Sequence, residues 1–524
     1  VTSPAETKPP YYLTTSISYP NGVPHIGHAY ETIAADALAR FKRLDGYDVM
    51  YLTGTDEHGL KMQQAADREG IPVRELAARN ALAFRRMNDV VGTSYDRFIR
   101  TTDEDHYAAA TQIWKRMEAA GDLYLDTYAG WYSVRDEAFW PEDETEVRED
   151  GVRYASQTDT EVTWTEEESY FFRLSAYQQK LLDLYAAEPE FCAPQSRFNE
   201  VISFVQRGLE DLSVSRTTFD WGVPVPGNDR HVMYVWVDAL TNYLTGVGFP
   251  DTDSEAFRRF WPADLHVIGK DISRFHAVYW PAFLMSAGLE LPGRVMIHGH
   301  LNNRGVKMSK SLGNTVAPED WVEQYGLDQT RFFLLREIPF GADGSYSHEA
   351  IVGRMNADLA NNFGNLAQRS LSMVAKNCDG VVPAPGDLEP ADTGILEKAH
   401  ALLETSRAAY ERQEFSRALE AVWLVLGDTN AYFAEQQPWV LRKTDPERMR
   451  TVLYVTLEVL RVVAILSQPV MPTGAGRILT LLGQGTGENA EARSFDALGR
   501  RIEPGTPLPA PSPVFPKYEE PAEG

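Results

Sequence analysis

Two short stretches of this sequence hold residue types that can handle phosphate. Pro24-His25-Ile26-Gly27-His28 ends an aromatic, β-branched run and opens a segment with helical spacing. Histidines at i and i+3 share one side of a first helical turn, where ring N–H groups and the helix N-terminus both favour an anion. Gly27 between them lets a flat base or a ribose approach the backbone. Such a pair can also simply cap a helix or face solvent; its place between strand and helix favours phosphate. Far downstream, Asn303-Arg304-Gly305-Val306-Lys307-Met308-Ser309-Lys310-Ser311-Leu312-Gly313 sets two lysines three residues apart in a glycine-flanked loop. A mobile cationic arm of that kind can hold the negative charge that develops on a departing pyrophosphate.

The elements around these stretches must position them. Tyr11 to Tyr19 reads as a strand broken by Pro20, Asn21 and Gly22. From about His25 the chain is helical, with Ile33, Ala37, Leu38, Phe41 and Leu44 on one face and Gly46 as a stop. Val49 to Thr53 reads as a second strand, ending in Gly54-Thr55-Asp56-Glu57-His58-Gly59. Strand, helix, strand in so short a span is a βαβ unit, and a parallel sheet is expected. Such a sheet binds ligands beyond the carboxyl ends of its strands, where the first motif falls. The pattern resumes with His231 to Asp238, Leu265 to Gly269 and Val295 to His298, read as further strands. Between them, residues 122–211 carry 7 basic and 21 acidic residues, a net −14, and read as a surface insertion. From about Glu349 the strands stop, and Ala350 to Met373, Ile395 to Phe415, Ala418 to Ala434 and Met449 to Leu466 carry helical spacing, a bundle. The tail from Pro504 to Gly524 reads as an extended strap or a disordered end.

Composition limits the alternatives. The 524 residues suffice for three or four domains at about 150 residues each. The net charge of −25 argues against a general nucleic-acid coat, which needs a basic face. Its distribution leaves room for a local nucleic-acid contact, since Asn430 to Thr480 holds 6 basic against 4 acidic residues, a net +2. Two cysteines, Cys192 and Cys378, are too few for a four-sulfur zinc site or a disulfide framework. The most apolar late stretch, Val452 to Val470, is interrupted by Glu458 and Arg461 and makes a poor membrane span. Val1 to Pro10 is short and polar, unlike a secretory leader. A large cytoplasmic enzyme is expected.

With both motifs in this order, the chain resembles class I aminoacyl-tRNA synthetases, whose HIGH and KMSKS signatures sit on a split Rossmann fold. Over about residues 10 to 515 it resembles the methionyl-tRNA synthetase family. That match rests on Ser18-Tyr19-Pro20-Asn21-Gly22, Gly54 to Gly59, Tyr234-Val235-Trp236-Val237-Asp238-Ala239, Gly269-Lys270-Asp271-Ile272, Phe275-His276, Trp280-Pro281-Ala282, Asn361 to Arg369, and Gln437-Pro438-Trp439. The resemblance implies a split parallel α/β sheet (1–121 and 212–300) around a connective insertion (122–211). A KMSKS and stem-contact linker (301–348), an all-α anticodon-binding bundle (349–503) and a Pro-rich tail (504–524) follow. It implies methionyl-adenylate formation from methionine and Mg-ATP, then transfer to initiator and elongator tRNA(Met). His25, His28, Lys307 and Lys310 become catalytic. His25, Gly27, His28, Glu31, Gly269, Asp271 and Lys310 bind ATP. Ile17, Tyr19, Asp56, Trp236, Tyr243, Ile272 and His276 form the methionine pocket, with Asp56 on the α-ammonium. Asn365, Arg369 and Trp439 read the anticodon.

Two departures from the family pattern stand out. Leu240 occupies a position where some relatives have proline, which should alter pocket shape without losing specificity. The stretch Gly130 to Glu137 has no cysteine where many relatives carry a zinc knuckle, so a metal-free insertion is expected. With no further domain after the bundle, the expected state is a monomer. Other class I synthetases fit less well: those for branched-chain residues need a larger editing insertion, and the cysteine enzyme needs zinc ligands. A catalytically dead tRNA-binding relative would not need His25, His28, Lys307 and Lys310 intact.

Overall fold

The computed structural model describes residues 8–136, 138–303, 305–307, 315–485 and 491–520, with backbone only at 128, 167, 306 and 307. Its centre is a parallel sheet of β1 (Pro10–Thr15), β2 (Asp48–Thr55), β3 (Arg97–Arg100), β4 (Cys192–Ala193), β5 (Leu265–Gly269) and β6 (Val295–His298), in the order β4-β6-β5-β1-β2-β3. Chain order reverses between β5 and β1, which makes their carboxyl ends the ligand crevice of such a sheet. β1 alternates as a doubly covered strand must: Tyr11 and Leu13 join one core and Tyr12 the other. Helix α1 (Ile26–Leu44) covers the first face and is buried along most of its length. The core it builds with β1 continues through Phe332 and Phe363 into the bundle residues Leu426 and Val459. Gly54, near the end of β2, is obligatory because a Cβ there would lie 2.0 Å from the Ile99 carbonyl oxygen.

The structure departs from the sequence reading in four places. The expected strand from His231 to Asp238 is divided. Asn228–Met233 is an antiparallel strand in a small sheet with Ser215–Arg216 and Pro224–Val225, and Val235–Thr245 is a helix. That helix is buried at almost every residue, so its apolar run has no period to separate it from a buried strand. Within the span assigned to the insertion, Cys192–Ala193 pairs in parallel with Val295 and Met296 as the outer strand of the central sheet. The long antiparallel pair of the insertion, Leu123–Ser133 with Thr163–Phe172, extends past residue 211, because Leu212–Ser213 adds to it. The first strand ends at Thr15 rather than Tyr19, and Ser18 continues as a bridge to Thr55.

The bundle is built on Pro390–His400, Leu402–Glu411, Phe415–Gln436 and Pro446–Ser467, joined by a long helical run from His348 to Asn377 with a π-helical middle at Met355–Gly364. The described part of the tail is a strap. Val514 and Phe515 are buried, and the Phe515 ring comes so close to Gly474 that a Cβ there would stand 2.4 Å from it.

Candidate functional site

The start of α1 shows how a histidine pair can cap and bind together. His25 is the N-cap, and its Nδ1 accepts from the Gly27 N–H at 3.1 Å. His28 Nδ1 accepts from the His25 N–H, also at 3.1 Å, completing a reciprocal capping box. The ring centroids are 3.9 Å apart. An imidazole that accepts at Nδ1 carries its proton on Nε2, so both rings present N–H donors directed away from the backbone they cap. The plainer capping reading and the phosphate reading are therefore compatible, one on each ring nitrogen. Phe84 meets the His28 ring edge-on at 5.1 Å and limits its rotation.

At the ends of β5 and β6 the structure adds a residue that the sequence reading omitted, His298. Its partner Glu31, on α1, accepts from Ser16 Oγ at 2.6 Å and from His298 Nε2 at 2.7 Å. His298 Nδ1 donates to the Gly299 carbonyl at 2.8 Å. Burial disfavours the charged ring, but the bond to Glu31 and its charge outweigh this and hold the His298 pKa above its ordinary value. The result is a buried imidazolium–carboxylate pair beside Gly269, where an added Cβ would come within 3.8 Å of the His298 ring. Asp271 is exposed, and its Oδ2 takes a 2.8 Å bond from His300 Nε2. Lys270 is held by Asp343 at 2.7 Å.

On the other side of the crevice most of the expected pocket residues pack together, while Tyr19 joins a separate cluster with Met62 and Trp221 and accepts from the Met62 N–H at 3.2 Å. The Ser18 N–H donates to the Gly54 carbonyl and the Asp56 N–H to the Ser18 carbonyl, both at 2.9 Å, which lays Ile17 to Tyr19 beside the end of β2. Asp56 is only 8% exposed there. The neighbouring Glu57 locks the loop: it takes two bonds from Arg100 at 2.7 and 2.8 Å and one from Thr102 Oγ1 at 2.7 Å. Ile17, Trp236 and Ile272 pack on one core cluster with Tyr243. Trp236 stacks face to face on Phe275 at 3.7 Å. His276, in a π-helical turn, donates from Nδ1 to the Ile272 carbonyl at 3.0 Å, so its Nε2 accepts from the Tyr243 hydroxyl at 2.7 Å. Burial pushes its pKa down to about 4, keeping it neutral. Burial, and then the charge of Glu31, raise the Tyr243 phenol well above its ordinary value.

A second layer holds this pocket in shape. His266 accepts at Nε2 from the Trp280 indole N–H at 3.3 Å and therefore donates from Nδ1 to Thr14 Oγ1 at 2.7 Å; its ring lies 4.2 Å from that of Tyr243. Asp238 bridges His58 Nδ1 and His106 Nε2 at 2.6 Å each. Burial alone would raise the Asp238 carboxyl, but these two histidines pull it down to about 2. Arg216 is buried against Tyr234 at 4.5 Å, and Nη1 donates to Ser213 Oγ and the Ser215 carbonyl. The sequence reading gave His266, His298, Phe275 and Arg216 no role in the site. For His298 the available signal was a polar residue closing a buried strand, as Asp56 does.

Of the second motif, Lys307 is described by its backbone alone, in the two-residue strand Val306–Lys307 paired to Leu301–Asn303. Lys310, with Met308 to Gly313, lies outside the described residues. In the bundle, Asn365 and Arg369 are exposed four residues apart on one helix. The Arg369 guanidinium stands 5.1 Å over Phe433 and 5.5 Å over Trp439, which is itself 40% exposed. A cation above an open indole is a platform suited to single-stranded bases. Where the zinc knuckle would lie, Trp131 packs on Trp164 at 5.3 Å under Arg153, and Asp136 accepts from Thr160 Oγ1 at 2.6 Å. Among the described residues no group of three or more His, Cys, Asp or Glu side chains is gathered to hold a metal. Cys192 is buried, and its thiol is pushed up to about 12 by burial, which makes it a poor ligand.

Comparison with known proteins agrees on one family across the chain. Residues 11–371 match the family described as tRNA synthetases class I (M), and residues 382–523 match the anticodon binding domain of methionyl tRNA ligase. The chain is 64% identical to the methionine–tRNA ligase of Mycobacterium tuberculosis over 516 residues, 98% of each chain. It is 63% identical to that of Brucella suis over 511 residues, 97% of this chain and 98% of the relative. A solved structure of Mycobacterium tuberculosis methionyl-tRNA synthetase in complex with methionyl-adenylate superposes with a TM-score of 0.95 at 64% identity, covering 97% of this chain and all of that one.

Proposed function

The chain belongs to the methionyl-tRNA synthetase family of class I tRNA ligases, and from that premise we propose how its residues divide the work of the reaction. The protein ligates L-methionine to tRNA(Met) with ATP, through methionyl-adenylate. A methionine carboxylate oxygen attacks the α-phosphorus of ATP, the bond to the β-phosphate oxygen breaks, and pyrophosphate leaves. A ribose hydroxyl of the terminal tRNA adenosine then attacks the methionyl carbonyl, and AMP leaves. Neither step requires a nucleophile from the protein, so catalysis rests on positioning and charge stabilisation.

In this reading His25 and His28 donate from Nε2 to the triphosphate at the N-terminus of α1. Lys307 and Lys310 hold the pyrophosphate as it departs. Gly27, Glu31 and Gly269 border the adenosine, Asp271 takes ribose hydroxyls, and His298 holds Glu31 in place. Asp56 pairs with the methionine ammonium, and Ile17, Tyr19, Trp236, Tyr243, Ile272 and His276 surround the thioether. Aromatic walls suit an unbranched, polarizable side chain. Leu240 is buried behind them. Asn365, Arg369 and Trp439 read anticodon bases on the bundle (349–503), and residues 301–348 link it to the catalytic halves.

The observation that carries the reading is the capping box itself. It commits both Nδ1 atoms to accepting from the backbone, so each neutral ring carries its proton on Nε2 at the start of α1. ATP enters as its magnesium complex, and the insertion holds no structural zinc. The enzyme acts as a cytoplasmic monomer on initiator and elongator tRNA alike; no described helix is long and apolar enough to cross a membrane. ATP–pyrophosphate exchange driven by each of the twenty amino acids in turn tests the assignment. Methionine alone should support rapid exchange, and preference for any other amino acid would overturn it.

A further inference from the structure

Transfer requires the tRNA 3′ end to reach the start of α1, so phosphates must pass the rim of the crevice on a chain of net charge −25. Many cations of the catalytic half are already paired with carboxylates. In α1, Arg40 pairs with Asp36, Lys42 with Glu411 and Arg43 with Asp96. The helix Val73–Val90 differs. Its inner face, including Leu76, Ala77, Phe84 and Met87, is buried. It is fixed to the motif loop at two points: Asn80 Nδ2 donates to the Pro20 carbonyl at 2.7 Å, and Phe84 meets the His28 ring at 5.1 Å.

The outer stripe of this helix, spaced at three and four residues, is Arg79, Leu82, Arg85 and Arg86. Arg79 is paired with Glu69. Arg85 and Arg86 are exposed, and neither makes an ion pair with any described residue. The carboxylate one turn on, Asp89, instead accepts from the Tyr95 hydroxyl at 3.2 Å. Leu82 is 65% exposed, and Val23, on the loop that Asn80 holds, is 70% exposed. Residues 60–90 carry 6 basic against 4 acidic residues, a net +2, so the rest of the chain sums to −27.

We propose that Arg85 and Arg86, with Leu82 and Val23, form the docking surface for the acceptor end of the tRNA. The two guanidinium groups bind successive backbone phosphates, and the exposed aliphatic side chains contact sugar and base faces. Guanidinium is the side chain best matched to phosphate oxygens, and a phosphate contact positions RNA without reading its sequence. The surface lies across one helix, about 10 Å in diameter, from His28, which suits the segment leading into the crevice rather than the reacting nucleotide. The proposal rests on the tRNA-ligase reading above.

The test compares the wild type with R85E/R86E and R85K/R86K in three assays. Methionine-dependent ATP–pyrophosphate exchange should stay within about twofold in both variants. In R85E/R86E, kcat/KM for tRNA(Met) should fall at least about tenfold, and the salt dependence of tRNA binding should lose about 0.9 log unit per phosphate contact removed. R85K/R86K should recover most of the loss, and an isolated anticodon stem-loop should bind every form equally. Unchanged tRNA kinetics with unchanged salt slope would refute the surface while leaving the enzyme assignment intact. A matching loss of exchange would place the arginines in activation or in folding, and would also refute it. Absence of methionine-dependent exchange in the wild type would instead defeat the functional reading on which the proposal stands.

Discussion

Arg331→Met should be among the most damaging substitutions outside the crevice. Arg331, on the helix Leu327–Glu337, and Asp36, on α1, are both fully buried, with Nη2 and Oδ2 at 2.6 Å. The same guanidinium donates to the carbonyls of Val470 at 2.8 Å and of Val91 and Pro469 at 3.0 Å. One side chain therefore ties the signature helix to the end of the long bundle helix Pro446–Ser467. Methionine fills the volume but leaves those carbonyls without their donor and Asp36 with Arg40 as its remaining cation, at 2.7 Å. Removing one partner of a buried ion pair costs about 3–5 kcal/mol. The Ser94 N–H and hydroxyl, each at 2.6 Å, still solvate the carboxylate, so the lower half of that range is expected.

The acid limb supplies an independent check on the same pair. Burial pushes the Asp36 carboxyl up, but Arg331 and Arg40 together bring it below its ordinary value. A depressed carboxyl contributes stability above its unfolded value, about 3.9, which is lost as pH falls through the folded value. In Arg331→Met that contribution shrinks, so the fall in stability on acidification should be shallower than in the wild type. Urea unfolding followed by tryptophan fluorescence measures both effects, and the D36N/R331M cycle isolates the pair, with a coupling of about 2 kcal/mol expected. A cost below about 1 kcal/mol, or additive single substitutions, would refute the reasoning.

Three further outcomes follow from the site. Lys310→Ala should slow ATP–pyrophosphate exchange by at least about a hundredfold, the scale of losing one transition-state donor; near-normal exchange would remove Lys310 from the mechanism. Trp439→Ala should raise the KM for tRNA strongly and leave exchange almost unchanged, whereas equal damage to both would make the indole a packing residue. His298→Gln should raise the KM for ATP more than that for methionine. Because His298 is raised, its contribution is complete below the unfolded value, about 6.5, and fades as pH climbs through the folded one. The wild-type KM for ATP should therefore worsen on the alkaline side, and the variant should lack that limb.

The legible part of this structure was local. Histidine spacing, the apolar face from Ile33 to Leu44 and the Gly46 stop place α1, and two apolar runs give β5 and β6, because each signal lies within one element. The helix Val235–Thr245 was misread because full burial erases the helical period on which such a reading depends. A two-residue strand such as Cys192–Ala193 leaves no pattern, and its neighbour Val295 is about a hundred residues away in the chain. The same distance hid the supporting polar network. His58 and Asp238 are 180 residues apart, and Glu31 and His298 are 267 apart. Those pairs exist only once the sheet order is known, whereas Asp56, His25 and His28 announce themselves by chemistry at an element's end.

The central claim is that this crevice joins methionine, and no other amino acid, to a tRNA read at its anticodon. Aminoacylation of tRNA(Met) transcripts with labelled methionine tests it most directly, comparing the CAU anticodon with a single-base anticodon variant. The account predicts efficient charging of the CAU transcript. For the variant it predicts a kcat/KM lower by at least about tenfold, since each base stacked on an aromatic side chain is worth about 1–3 kcal/mol. Equal charging of both transcripts, or charging with another amino acid in preference to methionine, would contradict it.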